Sequence, residues 1–141
     1  MFERIAVAVD GSECSKRAVE LAAGLAAADA AEVVVIHLAE VVSAWTVALQ
    51  AETPDEASDL ADDAVRTLKD RGVSARADVR TCPRGVVAAS IVEAARDADA
   101  GLIVMGSRGL GDFTGLLLGS VAHKVLHLAE VPVLIAKEPA E

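Results

Sequence analysis

Three glycines and a serine carry the clearest chemical signal in this chain. Gly106-Ser107-Arg108-Gly109 is followed, after nine residues, by Gly119-Ser120. Glycine lets the backbone come close to a bound group, and the amides at a helix start point unpaired N–H groups outward. The apolar run Gly101 to Met105 precedes the motif, and Gly119 to Ala129 reads as a helix. A strand, a glycine-bearing loop and a helix in that order suit an anion such as phosphate. A second candidate closes the first apolar run. Asp10 stands in Val9-Asp10-Gly11-Ser12, where its carboxylate can accept hydrogen bonds from a ribose or a base.

Other chemically able residues have simpler readings. His123 and His127 lie one helical turn apart, but a metal site needs further ligands and the nearby sequence offers none. His37 sits in an apolar run and reads as a satisfied core histidine. Cys14 falls in the first turn of a helix, where thiol acidity can rise, and is read as a packed thiol. Arg108 suits either a phosphate contact or solvation of the loop. No Gly-x4-Gly-Lys-[Ser/Thr] loop occurs, and the glycines do not have the spacing or position of a dinucleotide fingerprint. No catalytic triad or paired-carboxylate site stands out, so an enzyme is not expected beyond slow, incidental hydrolysis.

The elements that must position these residues follow from the apolar pattern. Strands are predicted at Arg4 to Val9, Glu32 to Leu38, Ser74 to Arg80, Gly101 to Met105 and Val131 to Ala136. Helices are predicted from Glu13 to Ala28 after a Ser12 cap, from Pro54 to Arg71 after a Thr53 cap, from Val86 to Ala98, and from Gly119 to Ala129. Gly72 closes the second helix, and Cys82-Pro83-Arg84-Gly85 reads as a turn. Ala75, Ala77 and Val79 alternate with polar residues, as in a half-buried strand near a sheet edge. Glu40 to Thr53, with the single tryptophan Trp45, shows no clear period. The acids Glu52, Asp55, Glu56, Asp59, Asp62 and Asp63 read as a solvated helix face.

This alternation implies an α/β fold: a five-stranded parallel sheet, strand order 3-2-1-4-5, with helices on both faces. In such sheets ligands bind at the carboxyl ends of the strands where the order reverses. Here that point lies between the strands ending at Asp10 and Gly106, so the acid and the glycine motif should share one crevice.

Composition narrows the classes further. The 141 residues suit one domain, and 53% are hydrophobic with only 2% aromatic, so the core must be aliphatic. The formal charge of −9 disfavours nucleic acid and anionic membranes as partners. An acidic protein holding a polyphosphate needs backbone donors, a few basic groups or a cation, which makes Mg²⁺ an expected companion of bound ATP. Cys14 and Cys82 read as free thiols in a reducing compartment. Met1 to Arg4 leads straight into a strand, so no signal peptide is expected, and no apolar run is long enough to span a membrane. A cytoplasmic location is the expectation.

The chain resembles the single-domain universal stress proteins over nearly its whole length. The likeness runs from Ile5-Ala-Val-Ala-Val-Asp-Gly-Ser12 through Ile36-His-Leu38 and Leu102-Ile-Val-Met-Gly-Ser-Arg-Gly109 to Pro132-Val-Leu-Ile135. Gly106, Gly109, Gly119 and Ser120 match, without a gap, the glycine motif of that family's ATP-binding subgroup. The resemblance implies an adenine nucleotide alpha hydrolase-like, Rossmann-type fold. It implies that Asp10 contacts the nucleoside, that the backbone of Leu38 reads adenine, and that Val9 and Met105 flank the base. It places Gly106, Arg108, Gly109, Gly119, Ser120 and Val121 around the phosphates. It also implies a homodimer through the last strand, Val131 to Lys137, and a regulatory role in the stress response. A nucleotide-free dimeric interaction module of the same fold is the alternative. An ATP-dependent activating enzyme fits poorly, because Asp10 to Ser15 lacks the Ser-Gly-Gly-x-Asp-Ser loop of that class.

Overall fold

The computed structural model describes residues 1–44, 47–50, 52–110 and 117–138. Its elements in chain order are β1 (Arg4–Ala8), α1 (Glu13–Asp29), β2 (Glu32–Ala44), β3 (Val47–Gln50) and α2 (Pro54–Asp70). They continue with β4 (Ala75–Pro83), α3 (Val87–Asp97), β5 (Leu102–Gly106), α4 (Ser120–Leu128) and β6 (Val133–Ala136). β1 pairs in parallel with β2 and β5, β2 with β4, and β5 with β6. The five parallel strands therefore run β4-β2-β1-β5-β6, the doubly wound order expected from the sequence.

Strand side chains alternate between two cores. Ile5 and Val7 of β1, Val33 and Val35 of β2, and Leu102 and Val104 of β5 pack with α1 and α2. Ala6, Val34, Ile36, Ile103 and Met105 face the other way, onto α3 and α4. Burial on both faces explains the unbroken Val/Ile runs. Each fully buried Val, Leu or Ile contributes about 1.5–3 kcal/mol relative to an exposed one. Helix α1 lies close to the sheet because its inward stripe is Ala18, Ala22, Ala23 and Ala26.

Three expectations are corrected. Glu40 to Thr53 is not featureless: β2 continues to Ala44 and folds back as antiparallel β3, pairing Val41 with Gln50 and Ala44 with Val47. Trp45 lies outside the described residues. Cys82 and Pro83 are the last residues of β4, so the turn proper is Arg84-Gly85. On β4, Ala77 and Val79 are exposed, whereas the alternate residues Asp78 and Arg80 are partly covered. The Arg80 guanidinium bonds both Asp78 oxygens at 2.9 Å and Asp97 of α3 at 3.0 Å, stitching this edge strand to the helix layer. Those carboxylates hold the Arg80 proton more firmly than usual.

The predicted N-caps are present, whereas α2 is closed by Arg71, with Gly72 at φ +78° just beyond it. The Ser12 and Thr53 side chains accept from the Ser15 and Glu56 amides. Of the acid-rich stretch, Asp55, Glu56, Asp59, Asp62 and Asp63 are exposed, but Glu52 is partly buried and turns inward.

Candidate functional site

A cleft of about 550 Å³ opens at the carboxyl ends of β1, β2 and β5. That size falls within the usual range of small-molecule sites. β1 and β5 are neighbours here, and the chain leaves them toward opposite helix layers, so the cleft lies where the strand order reverses.

Asp10 ties the two loops together. Its Oδ1 accepts the Ser12 amide at 2.9 Å, and its Oδ2 accepts the Leu110 amide at 3.1 Å, across a hundred residues of chain. Gly11 makes the first of these turns possible, because its φ of +84° is a conformation that side chains resist. The acid and the glycine motif thus meet, as the assumed strand order required.

Helix α4 presents the end of the cleft best suited to an anion. Its N-cap, Gly119, has no side chain to accept the first amides, unlike Ser12 of α1 and Thr53 of α2. Ser120, Val121 and Ala122, the first turn, line the cleft. Their N–H groups lack the intrahelical partners that later amides have, and the helix dipole adds partial positive charge there. No acidic residue occupies that turn. α3 also begins without a side-chain cap, and its Val87 and Ile91 form an apolar wall.

Val9, Asp10, Leu38, Met105, Gly106, Arg108, Gly109, Ser120 and Val121 all border the cleft. Gly119 takes a different place. It is buried, and its amide donates to the Ser107 carbonyl at 2.6 Å, so it fastens the loop to β5 rather than offering that N–H to a ligand. Gly106 has a packing reason of its own. A Cβ there would stand 2.5 Å from Cys14 Cβ and 2.9 Å from the Cys14 carbonyl carbon. The missing side chain lets α1 start against the end of β5. Arg108 is ion-paired with Glu138, just beyond β6. Gly111 and Gly115 lie outside the described residues.

Sequence reasoning missed three wall residues. His37 is buried and satisfied, as expected, but it borders the cleft and bonds Glu52 as well as the Val9 carbonyl. Glu52 lies fifteen residues away on the lead-in to α2, and only its place just before the Thr53 cap set it apart from the helix acids. Glu40 was also missed. Its carboxylate accepts the Gly85 amide at 3.3 Å and so secures the turn before α3. Burial pushes the Cys82 thiol pKa up, making it less acidic than usual; the Ser90 hydrogen bond opposes this and the Glu40 charge reinforces it. Cys14 is a buried thiol whose sulfur lies 3.8 Å from Ser107 Oγ. His123 and His127 are exposed on α4, and no group of three or more metal-ligating side chains occurs among the described residues.

The model of the universal stress protein family matches residues 1–137. The chain belongs to the universal stress protein family. It is 30% identical over 151 residues to the universal stress protein YxiE of Bacillus subtilis, covering 97% of this chain and 100% of that protein. The solved structure of the hypothetical protein MJ0577 superposes with a TM-score of 0.82 at 22% identity, covering 100% of this chain and 99% of that one. The universal stress protein from Archaeoglobus fulgidus in complex with dAMP superposes with a TM-score of 0.69 at 27% identity, covering 95% and 97%. No helix among the described residues is long and apolar enough to cross a membrane.

Proposed function

We propose that this universal stress protein binds an adenine nucleotide in the cleft, with ATP and Mg²⁺ as its working ligand. The uncapped start of α4, which lines the same cleft as Asp10, is the observation that carries this reading. A nucleotide would lay its phosphates against the Ser120, Val121 and Ala122 amides and the Ser120 hydroxyl, with Arg108 beside them. Its nucleoside would lie toward Asp10, Val9, Leu38 and Met105. The dAMP complex of the Archaeoglobus fulgidus protein supports a ligand of this class. Mg²⁺ would be carried mainly by phosphate oxygens and water, as is usual for this ion.

Hydrolysis would be slow or absent, because Asp10, which ties the β1–α1 turn to Leu110, would lie toward the nucleoside end of the cleft and not at the phosphates. The role is then regulatory: a cytoplasmic stress-response protein whose nucleotide state alters what it shows to a partner protein, and not a binder of nucleic acid or membrane. A homodimer would form at β6, an edge strand with Leu134 exposed, through the segment Val131 to Lys137.

Calorimetric titration with ATP and Mg²⁺, and then AMP, tests the reading. Saturable binding at one site per chain is the expected result. A flat titration with both, from protein stripped of nucleotide, would favour the nucleotide-free interaction module.

A further inference from the structure

We propose that Glu138 limits how much phosphate charge adds to binding, by standing as a built-in anion against Arg108. The inference rests on the nucleotide reading above and names a specificity-determining residue of the same site. Asp10, Glu40 and Glu52 are acids that border the cleft, and among the described residues Arg108 is the one arginine or lysine that does so. An anionic ligand is therefore drawn by backbone dipoles and by this guanidinium, against three carboxylates.

The fold itself brings Glu138 to that guanidinium. β5 and β6 pair in parallel, with Met105 opposite Ile135 and Gly106 opposite Ala136. The Ser107 amide donates to the Ala136 carbonyl at 2.8 Å, so the pairing carries on to the end of both strands. Arg108 stands two residues past Gly106 and Glu138 two past Ala136, so the same register sets them side by side, and their side chains form an ion pair. The Arg108 side chain is 15% exposed and that of Glu138 52%. The guanidinium is thus held largely out of water at the cleft, while its carboxylate partner is half open to solvent.

A guanidinium offers carboxylate and phosphate the same paired N–H donors. A phosphate beside Arg108 either shares those donors with Glu138 or takes them over. In the first case the two anions repel each other; in the second the ion pair is given up. Either way the Glu138 charge opposes the phosphate. The opposition grows with the charge of the phosphate tail and is absent for a nucleoside that carries none. Mg²⁺ on ATP, by cancelling part of that charge, would relieve it.

The experiment is calorimetric titration of the full chain, wild type and Glu138→Gln, with adenosine, AMP, ATP, and ATP with Mg²⁺, at low ionic strength. Glutamine keeps the size of the side chain and removes its charge. Adenosine should bind both proteins alike. AMP should bind Glu138→Gln about three- to fivefold more tightly, the scale of a half-exposed ion pair. The gain should be larger for ATP alone, smaller again once Mg²⁺ is added, and should shrink in high salt. If Glu138 instead served to hold Arg108 in place for a phosphate, Glu138→Gln would bind AMP more weakly. That result, an unchanged AMP affinity, or an equal gain for adenosine would overturn the role of Glu138 while leaving nucleotide binding intact. Failure of wild type to bind adenosine, AMP or ATP would overturn the nucleotide reading and this role together.

Discussion

Replacing Ser120 by aspartate should move stability and binding in opposite directions. Ser120 is the first residue of α4, and its side chain is exposed, so a carboxylate fits without repacking. That turn has no acid now, and its cap has no side-chain acceptor. A negative charge at a helix start is worth about 0.3–1 kcal/mol, so Ser120→Asp should melt no lower than wild type. The same carboxylate would stand where a phosphate must approach. Two unit charges about 4 Å apart repel by about 4 kcal/mol at an effective dielectric of about 20. Salt and side-chain rotation would relieve roughly half of this, leaving about 2 kcal/mol, or roughly a thirtyfold loss of affinity. Thermal unfolding and calorimetry with AMP measure the two effects on the same samples. Ser120→Ala, which removes only the hydroxyl, should weaken binding a few-fold. A Ser120→Asp protein that is stable and binds AMP as tightly as wild type would refute the placement of phosphate at α4.

Three further outcomes follow from the packing. Gly106→Ala should destabilise the fold by about 1–3 kcal/mol in urea unfolding, because its Cβ meets α1 backbone as well as Cys14 Cβ. Adding Cys14→Ala should not rescue it, since alanine keeps the obstructing carbon; an unchanged midpoint in Gly106→Ala would contradict this close approach. Cys82 should react with iodoacetamide at pH 8.5 more slowly than a free thiol, because burial holds its thiolate back until higher pH; labelling at the free-thiol rate in the native state would count against it. Leu134→Glu on β6 should turn a dimer into a monomer in sedimentation velocity, and an unaltered dimer would place the interface elsewhere.

Much of the frame was legible because buried parallel strands write themselves as aliphatic runs. Val33 to Ile36 and Leu102 to Met105 alternate between two cores and still read as continuous apolar segments. Ser12 and Thr53 were legible for a local reason: a cap acts within three residues of its own position. The β2 extension was not. Its pairing partner is β3, and neither Glu40 to Ala44 nor Val47 to Gln50 carries a glycine or proline to mark a hairpin. The role of Gly106 as a seat for α1 depends on Cys14, ninety-two residues earlier, and glycine spacing alone cannot reveal it. Glu52 was read with the helix acids because composition does not say which carboxylate turns inward toward a histidine.

The most direct measurement is a titration of ¹⁵N-labelled protein with ATP and Mg²⁺, followed at the backbone amides. The largest saturable shifts should fall on Ser120, Val121 and Ala122, with Leu110 moving as the Asp10 contact responds to the ligand. Saturable binding that leaves the α4 amides unmoved, or no saturable shift anywhere, would contradict a phosphate site at the start of this helix.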